Sequence, residues 1–106
     1  SVSGRVARVN VGVYSATKYA VGAFSESLRQ EMAPRGVRVS VIQPGLVATG
    51  ILDQSRPESQ ELIRARFESD EILEPADVAD AIGYIVTRSR RAAINELLMR
   101  ATVQAL

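Results

Sequence analysis

Tyr14 and Lys18 stand four residues apart near the beginning of a segment with helical periodicity. At that spacing two side chains project from one helix face about one turn apart. An ammonium beside a phenol stabilises the phenolate, which makes the phenol a usable proton donor and acceptor near neutral pH. Lys18 is the single lysine among thirteen basic residues, so its placement carries information. Ser1 lies thirteen residues before Tyr14, and Ser3 eleven before it. A hydroxyl there, at a strand end beside the helix, could donate a hydrogen bond to a carbonyl oxygen and orient it for proton transfer. A third group, Pro44-Gly45-Leu46-Val47-Ala48-Thr49, follows a run of β-branched residues. Beyond a buried strand of an open α/β sheet it occupies a position where ligands bind, and a turning backbone there offers N–H and C=O groups to a flat amide. Taken singly, each has a plainer reading: a helix surface, a serine bonded to its own backbone, a strand-ending turn.

Composition removes several other chemistries. The chain has 106 residues, enough for one small domain and too few for two. It contains no Cys and no His, which excludes disulfides, thiolate metal sites, a zinc site, a Ser-His-Asp triad and a Cys-His pair. Thirteen basic against twelve acidic residues leave no field that would draw nucleic acid. Mean hydropathy is +0.03, no apolar run approaches the ~20 residues a membrane span needs, and nothing reads as a secretory signal.

The elements that must position these residues follow from periodicity. Residues 1–12 read as a strand end running into a loop. Val13 to about Arg35 is helical, with Ala20, Phe24, Leu28 and Met32 recurring at every fourth position beside Val21. Ala16, Ala23 and Ser27 form a second, small-residue stripe, and Gly36 is a helix stop. Val37–Ile42 reads as a buried strand closed by Pro44-Gly45, and 46–56 as a loop. Ser55-Arg56-Pro57-Glu58 fits a capping box for a short helix to about Phe67. Glu74-Pro75-Ala76-Asp77 starts a further helix whose apolar face is Val78, Ala81, Ile82, Ile85 and Val86, ending at Arg88, Arg90 and Arg91, cations that suit a helix C-terminus. Ile94 to about Val103 is the last strand. This alternation is the rhythm of a parallel α/β sheet. Two parallel strands with both outer edges open are not a stable unit, and the chain opens on Ser-Val-Ser-Gly without a Met. It is expected to be a piece of a longer protein.

Together the motifs are far more specific than apart. Ser1, Tyr14-x-x-x-Lys18 and Pro44-Gly45-x-Val47-x-Thr49, with the surrounding stretches SVSGR, YSATKYAVGAFSESLRQEM, GVRVSVIQPGLVATG and LEPADVADAIGYIV in that order, resemble the C-terminal half of a short-chain dehydrogenase/reductase. The resemblance spans essentially all 106 residues. The tail INELLMRATVQ is similar to the branch of NADP-dependent 3-hydroxy acid and related alcohol dehydrogenases. By this resemblance the fold is α/β, the C-terminal part of a doubly wound parallel-sheet Rossmann domain. Tyr14 would be the catalytic acid/base, Lys18 would hold the nicotinamide ribose and assist the phenol, and Ser1 would bind the substrate oxygen. Pro44, Gly45, the Val47 backbone and Thr49 would contact the cofactor. The substrate would be a small alcohol or carbonyl compound, and the helices at 13–35 and 75–88 would pack between subunits of a dimer or tetramer. The short helix after Pro57 would cover the substrate pocket, and a cytoplasmic location, with no nucleic acid and no membrane, is implied.

Members of this family have roughly 250 residues, as a single α/β domain does. Residues 1–106 would then be the catalytic half, with the dinucleotide-binding half absent. Seven glycines are present, at 4, 12, 22, 36, 45, 50 and 83, and no three of them make a Gly-rich phosphate loop. The residue that chooses NADP or NAD lies in that other half, as does the Asn that completes the family's active-site set. The expectation is therefore an oxidoreductase whose isolated C-terminal half is inactive. A self-associating, non-enzymatic chain of the same lineage is the rival reading.

Overall fold

The computed structural model describes residues 1–50, 56–58, 60, 61, 65 and 72–105. Residues Val2–Gly4 form a 3-10 turn in place of the expected strand end. The Ser1 hydroxyl accepts the Ser3 amide (3.2 Å), and the amides of Gly4, Arg5 and Val6 go to the carbonyls of Ser1 and Val2. Those donors are engaged locally and leave no ladder for a strand. Helix α1 spans Gly12–Met32 and runs into a second 3-10 turn, Ala33–Arg35. Asn10, at φ 67, sets up the entry, a conformation Asn tolerates better than most residues. Gly36, at φ 68, closes the far end as the expected stop, its amide going to Ala33 and the next to Met32.

Strand β1 is Val41–Pro44 and strand β2 is Glu96–Met99, paired in parallel from Val41 opposite Glu96 to Pro44 opposite Met99. Both are shorter than their apolar runs suggest. A strand extends only as far as its neighbour supplies partners. Val37–Ser40 are held instead through Arg38, whose guanidinium donates to the carbonyls of Val86, Arg88, Ser89 and Ala92. Past Met99 the chain turns, with the Gln104 amide donating to Ala101. Pro44, lacking an N–H, sits at the strand end where that loss is tolerated.

Helix α2, Pro75–Val86, connects the two strands, so the described chain contains a strand–helix–strand crossover of a parallel sheet. It starts where its signals place it. Pro75 occupies the first turn, the Glu74 carboxylate accepts the Asp77 amide, and the Asp77 carboxylate accepts the Glu74 amide at 2.7 Å. It ends at Val86, two residues earlier than expected. Thr87 turns its hydroxyl back to the Gly83 carbonyl, and Arg88 bonds Tyr84 and lies over its ring at 4.0 Å. Pro57, Glu58, Gln60, Glu61 and Ala65 are helical; the capping serine of that segment, Ser55, and its end at Phe67 lie outside the described residues.

Among the described residues Val2, Ile85 and Ala101 are the buried apolar side chains, and Ser15 and Gln43 are buried polar ones. Of the apolar stripe of α1, Leu28 and Met32 are half-buried, while Ala20, Val21 and Phe24 face away from this core. Phe24 is 68% and Val21 53% exposed. The inward side of α1 is the one that meets the Val2–Gly4 turn and carries Ser15. Ser15 lies well around the helix from Phe24 at about 100° per residue. Among the described residues no helix is long and apolar enough to cross a membrane.

Candidate active site

α1 fixes the first pair. Ser15 is 2% exposed and points into the molecule, which turns its neighbour Tyr14 to the rim, where it is 44% exposed. One turn on, Lys18 brings its Nζ to 5.3 Å from the centre of the Tyr14 ring, a cation–π distance. Ser1 shares this corner. It caps the Val2–Gly4 turn, and that turn packs against the Lys18 backbone of α1. The Ser1 oxygen accepts the Ser3 amide; a hydroxyl that accepts one bond still has its own proton to donate. Ser3 contributes only its backbone amide to that bond.

The loop after β1 supplies the second group. The Gly45 amide donates to the Met99 carbonyl (2.8 Å), the Ala48 amide to Leu73 (2.8 Å), and the Leu73 amide to Leu46 (3.2 Å). Val47 and Leu73 thereby form a parallel bridge. In such a bridge the bonds come from the flanking residues, so the N–H and C=O of Val47 itself face the other way. No hydrogen bond among the described residues uses either of them. A donor and an acceptor side by side on one extended residue match a primary carboxamide. Thr49, two residues on, is exposed. This donor–acceptor pair fits the carboxamide end of a nicotinamide cofactor.

Gly45 plays a different part from the turn-forming one its sequence context suggests. It has no positive φ, so the turn does not demand glycine for its backbone. A Cβ at this position would instead collide with Gln104 Oε1. That oxygen accepts the Leu46 amide at 3.0 Å. Gln104 carries no signal in the sequence; no local pattern links residues 58 apart. An open depression of about 410 Å³ adjoins this loop through Leu73 and Met99 and extends to Asp77, Asp80 and Arg100.

Comparison with known proteins gives a consistent set of likenesses. A family model described as short chain dehydrogenase matches residues 1–60. Dehydrogenase/reductase SDR family member 11 of Gallus gallus is 40% identical over 96 residues, covering 89% of this chain and 38% of that protein. Among solved structures, the closed form of a serine dehydrogenase complexed with NADP+ superposes with a TM-score of 0.85 at 29% identity, over 100% of this chain and 43% of that one. Serine dehydrogenase from Escherichia coli gives 0.75 at 30% identity, over 100% of this chain and 39% of that one. The chain thus spans about two fifths of the length of these relatives.

Proposed function

The chain belongs to the short-chain dehydrogenase/reductase family of oxidoreductases, and from that membership we propose that residues 1–106 form the catalytic half of an enzyme that interconverts an alcohol and a carbonyl compound with a nicotinamide cofactor. The observation that carries the reading is the Lys18 ammonium 5.3 Å from the Tyr14 ring on an accessible helix face, with the turn that Ser1 caps packed on the Lys18 backbone.

In the reducing direction Tyr14 gives its phenolic proton to the substrate oxygen as negative charge develops there. In the oxidising direction its phenolate takes the proton from the alcohol. Ser1 donates a hydrogen bond to that same oxygen and fixes its position. Lys18 balances the charge that forms on the Tyr14 oxygen and reaches the ribose hydroxyls. Val47 binds the carboxamide through its own N–H and C=O, between Pro44-Gly45 on one side and Thr49 on the other. A bound nicotinamide supplies or accepts the hydride. NADP is the preferred cofactor in this reading, with NAD as the alternative, because the serine dehydrogenase that superposes at 0.85 was solved with NADP+. The same likeness favours a small 3-hydroxy acid as the alcohol, since serine carries its hydroxyl on the third carbon.

No Gly-rich phosphate loop occurs among the seven glycines of the chain, so the 106 residues alone are expected to hold dinucleotide weakly and not to turn over. The proposal includes a cytoplasmic homo-oligomer assembled through α1 and α2. The exposed apolar side of α1, with Val13 84% and Phe24 68% exposed, favours association in either reading, including the non-enzymatic one.

The test joins the chain to a dinucleotide-binding half ahead of Ser1 and follows NADPH formation with 3-hydroxy acids. Tyr14→Phe is expected to lower kcat by at least ~100-fold, as loss of a general acid does. Unchanged turnover in Tyr14→Phe would remove Tyr14 from the mechanism, and no turnover of any alcohol by the unmutated protein would leave the self-associating reading.

A further inference from the structure

We propose that Gln104 is a positioning residue for the cofactor-facing loop, latching the Leu46 amide so that Val47 presents its N–H and C=O outward. The inference rests on the oxidoreductase reading of that loop, and goes beyond it by giving a task to the C-terminal tail. Two features meet at the Gln104 side chain. Its Oε1 accepts the Leu46 amide at 3.0 Å. The same oxygen occupies the place a Cβ on Gly45 would take, and its amide carbon lies 2.9 Å from that point. Glycine at 45 is therefore the space the Gln104 side chain fills.

The consequence for Val47 comes from following partners along the loop. The Gly45 amide is bonded to Met99, that of Leu46 to Gln104 and that of Ala48 to Leu73, so the amides on both sides of Val47 are engaged. The loop is pinned at Gly45 and Leu46 by β2 and the chain after it, and at Ala48 by Leu73. Val47 lies between the two anchors with neither backbone group bonded among the described residues. Releasing Gln104 frees the Leu46 amide and lets the Gly45–Leu46 peptide rotate, leaving the Leu73 amide to hold the Leu46 carbonyl alone, and so blurs the donor–acceptor pair a carboxamide would meet. Gln104 is itself held in place by its backbone: its amide donates to Ala101 at 2.9 Å, and Ala101 is 5% exposed. A side chain rooted on a buried turn is a firmer latch than one on a free tail.

The experiment measures amide hydrogen exchange at Leu46 in the full chain, with the Asp77 amide of α2 as internal reference. Gln104→Leu is expected to speed Leu46 exchange about tenfold, the effect of losing one hydrogen bond, and to leave Asp77 unchanged. Gln104→Glu retains an acceptor oxygen at the same reach and is expected to restore protection. In the protein completed with its dinucleotide-binding half, Gln104→Leu is expected to raise the KM for NADP+ about tenfold with kcat within about twofold, and Gln104→Glu to bring KM back. A general loss of folding would instead move Asp77 exchange and kcat together. Leu46 exchange unaltered in Gln104→Leu overturns the latch. Faster Leu46 exchange with an unaltered KM overturns its role in cofactor positioning. If the unmutated protein turned over no alcohol at all, the oxidoreductase reading would fall on that result alone, while Leu46 exchange would still decide the latch.

Discussion

Gly4 and Lys18 meet backbone to backbone: a Cβ at position 4 would stand 3.1 Å from the Lys18 carbonyl oxygen and 3.5 Å from Gln43 Nε2. The turn that carries Ser1 thus rests directly on the helix turn that carries Lys18. Gly22, farther along α1, has nothing within 4 Å of the same hypothetical atom. Alanine is therefore expected to act with opposite sign at the two glycines. Gly4→Ala forces the Val2–Gly4 turn away from α1 and is expected to destabilise by about 1–2 kcal/mol, the cost of modest overpacking. Gly22→Ala gains helix propensity and is expected to stabilise by up to ~1 kcal/mol. Urea midpoints of the two variants decide this. A midpoint for Gly4→Ala at or above the parent's would contradict the close contact.

Acid sensitivity of α1 should trace to one exposed carboxylate. Glu26 accepts two bonds from the Arg29 guanidinium at 2.7 Å and one from Gln30 at 2.9 Å. The Arg29 bond, then the Gln30 bond, lower its carboxyl from the ordinary 4.5 to about 2. A value depressed by folding contributes stability that is complete above the unfolded value and disappears as pH falls through the folded one. The contribution of Glu26 is thus present above about pH 4.5 and lost toward pH 2. Helical circular dichroism of the parent is expected to fall over that window by more than that of Glu26→Gln, and the difference to shrink in ~1 M salt, which screens exposed pairs. Superimposable acid profiles would show that the Arg29 pair does not stabilise the helix.

The helices are legible in the sequence because their signals are local. Gly36 and the Glu74-Pro75-Ala76-Asp77 start act within a few residues of where they stand, and both perform as their chemistry dictates. The Tyr14–Lys18 pair is legible for the same reason, since helix pitch alone brings them together. Strand limits are not, because β1 and β2 stop where their partner stops, and the partner is about fifty residues away. Ser1–Gly4 departs from the expected strand because a serine hydroxyl and two carbonyls capture the amides that a strand would have offered. Gly45 looks like a turn glycine until the one residue that explains it, Gln104, is in place. The direction of α1 is hidden too. Its apolar stripe identifies a face that needs covering, but not what covers it.

That face yields the last expectation. Val13, Val21 and Phe24 are 84%, 53% and 68% exposed, and fall on one side of α1 at about 100° per residue. Scattered apolar residues on a surface need no explanation, but several aligned on one helix mark an interaction site. A helix face is well suited to meet its own copy across a two-fold axis, because each residue then contacts an equivalent apolar partner. Burying a phenylalanine is worth about 2–3 kcal/mol, and it does so twice in a symmetric pair. Phe24→Glu is therefore expected to weaken self-association at least ~100-fold, seen by light scattering as a shift from dimer or larger to monomer. Val9→Glu, at an 88% exposed position ahead of α1, serves as the control and is expected to leave the mass unchanged. Equal masses for the parent and Phe24→Glu would exclude this face of α1 as the subunit contact, and would direct attention to Ile82, Tyr84 and Val86 of α2, which are 46%, 52% and 60% exposed.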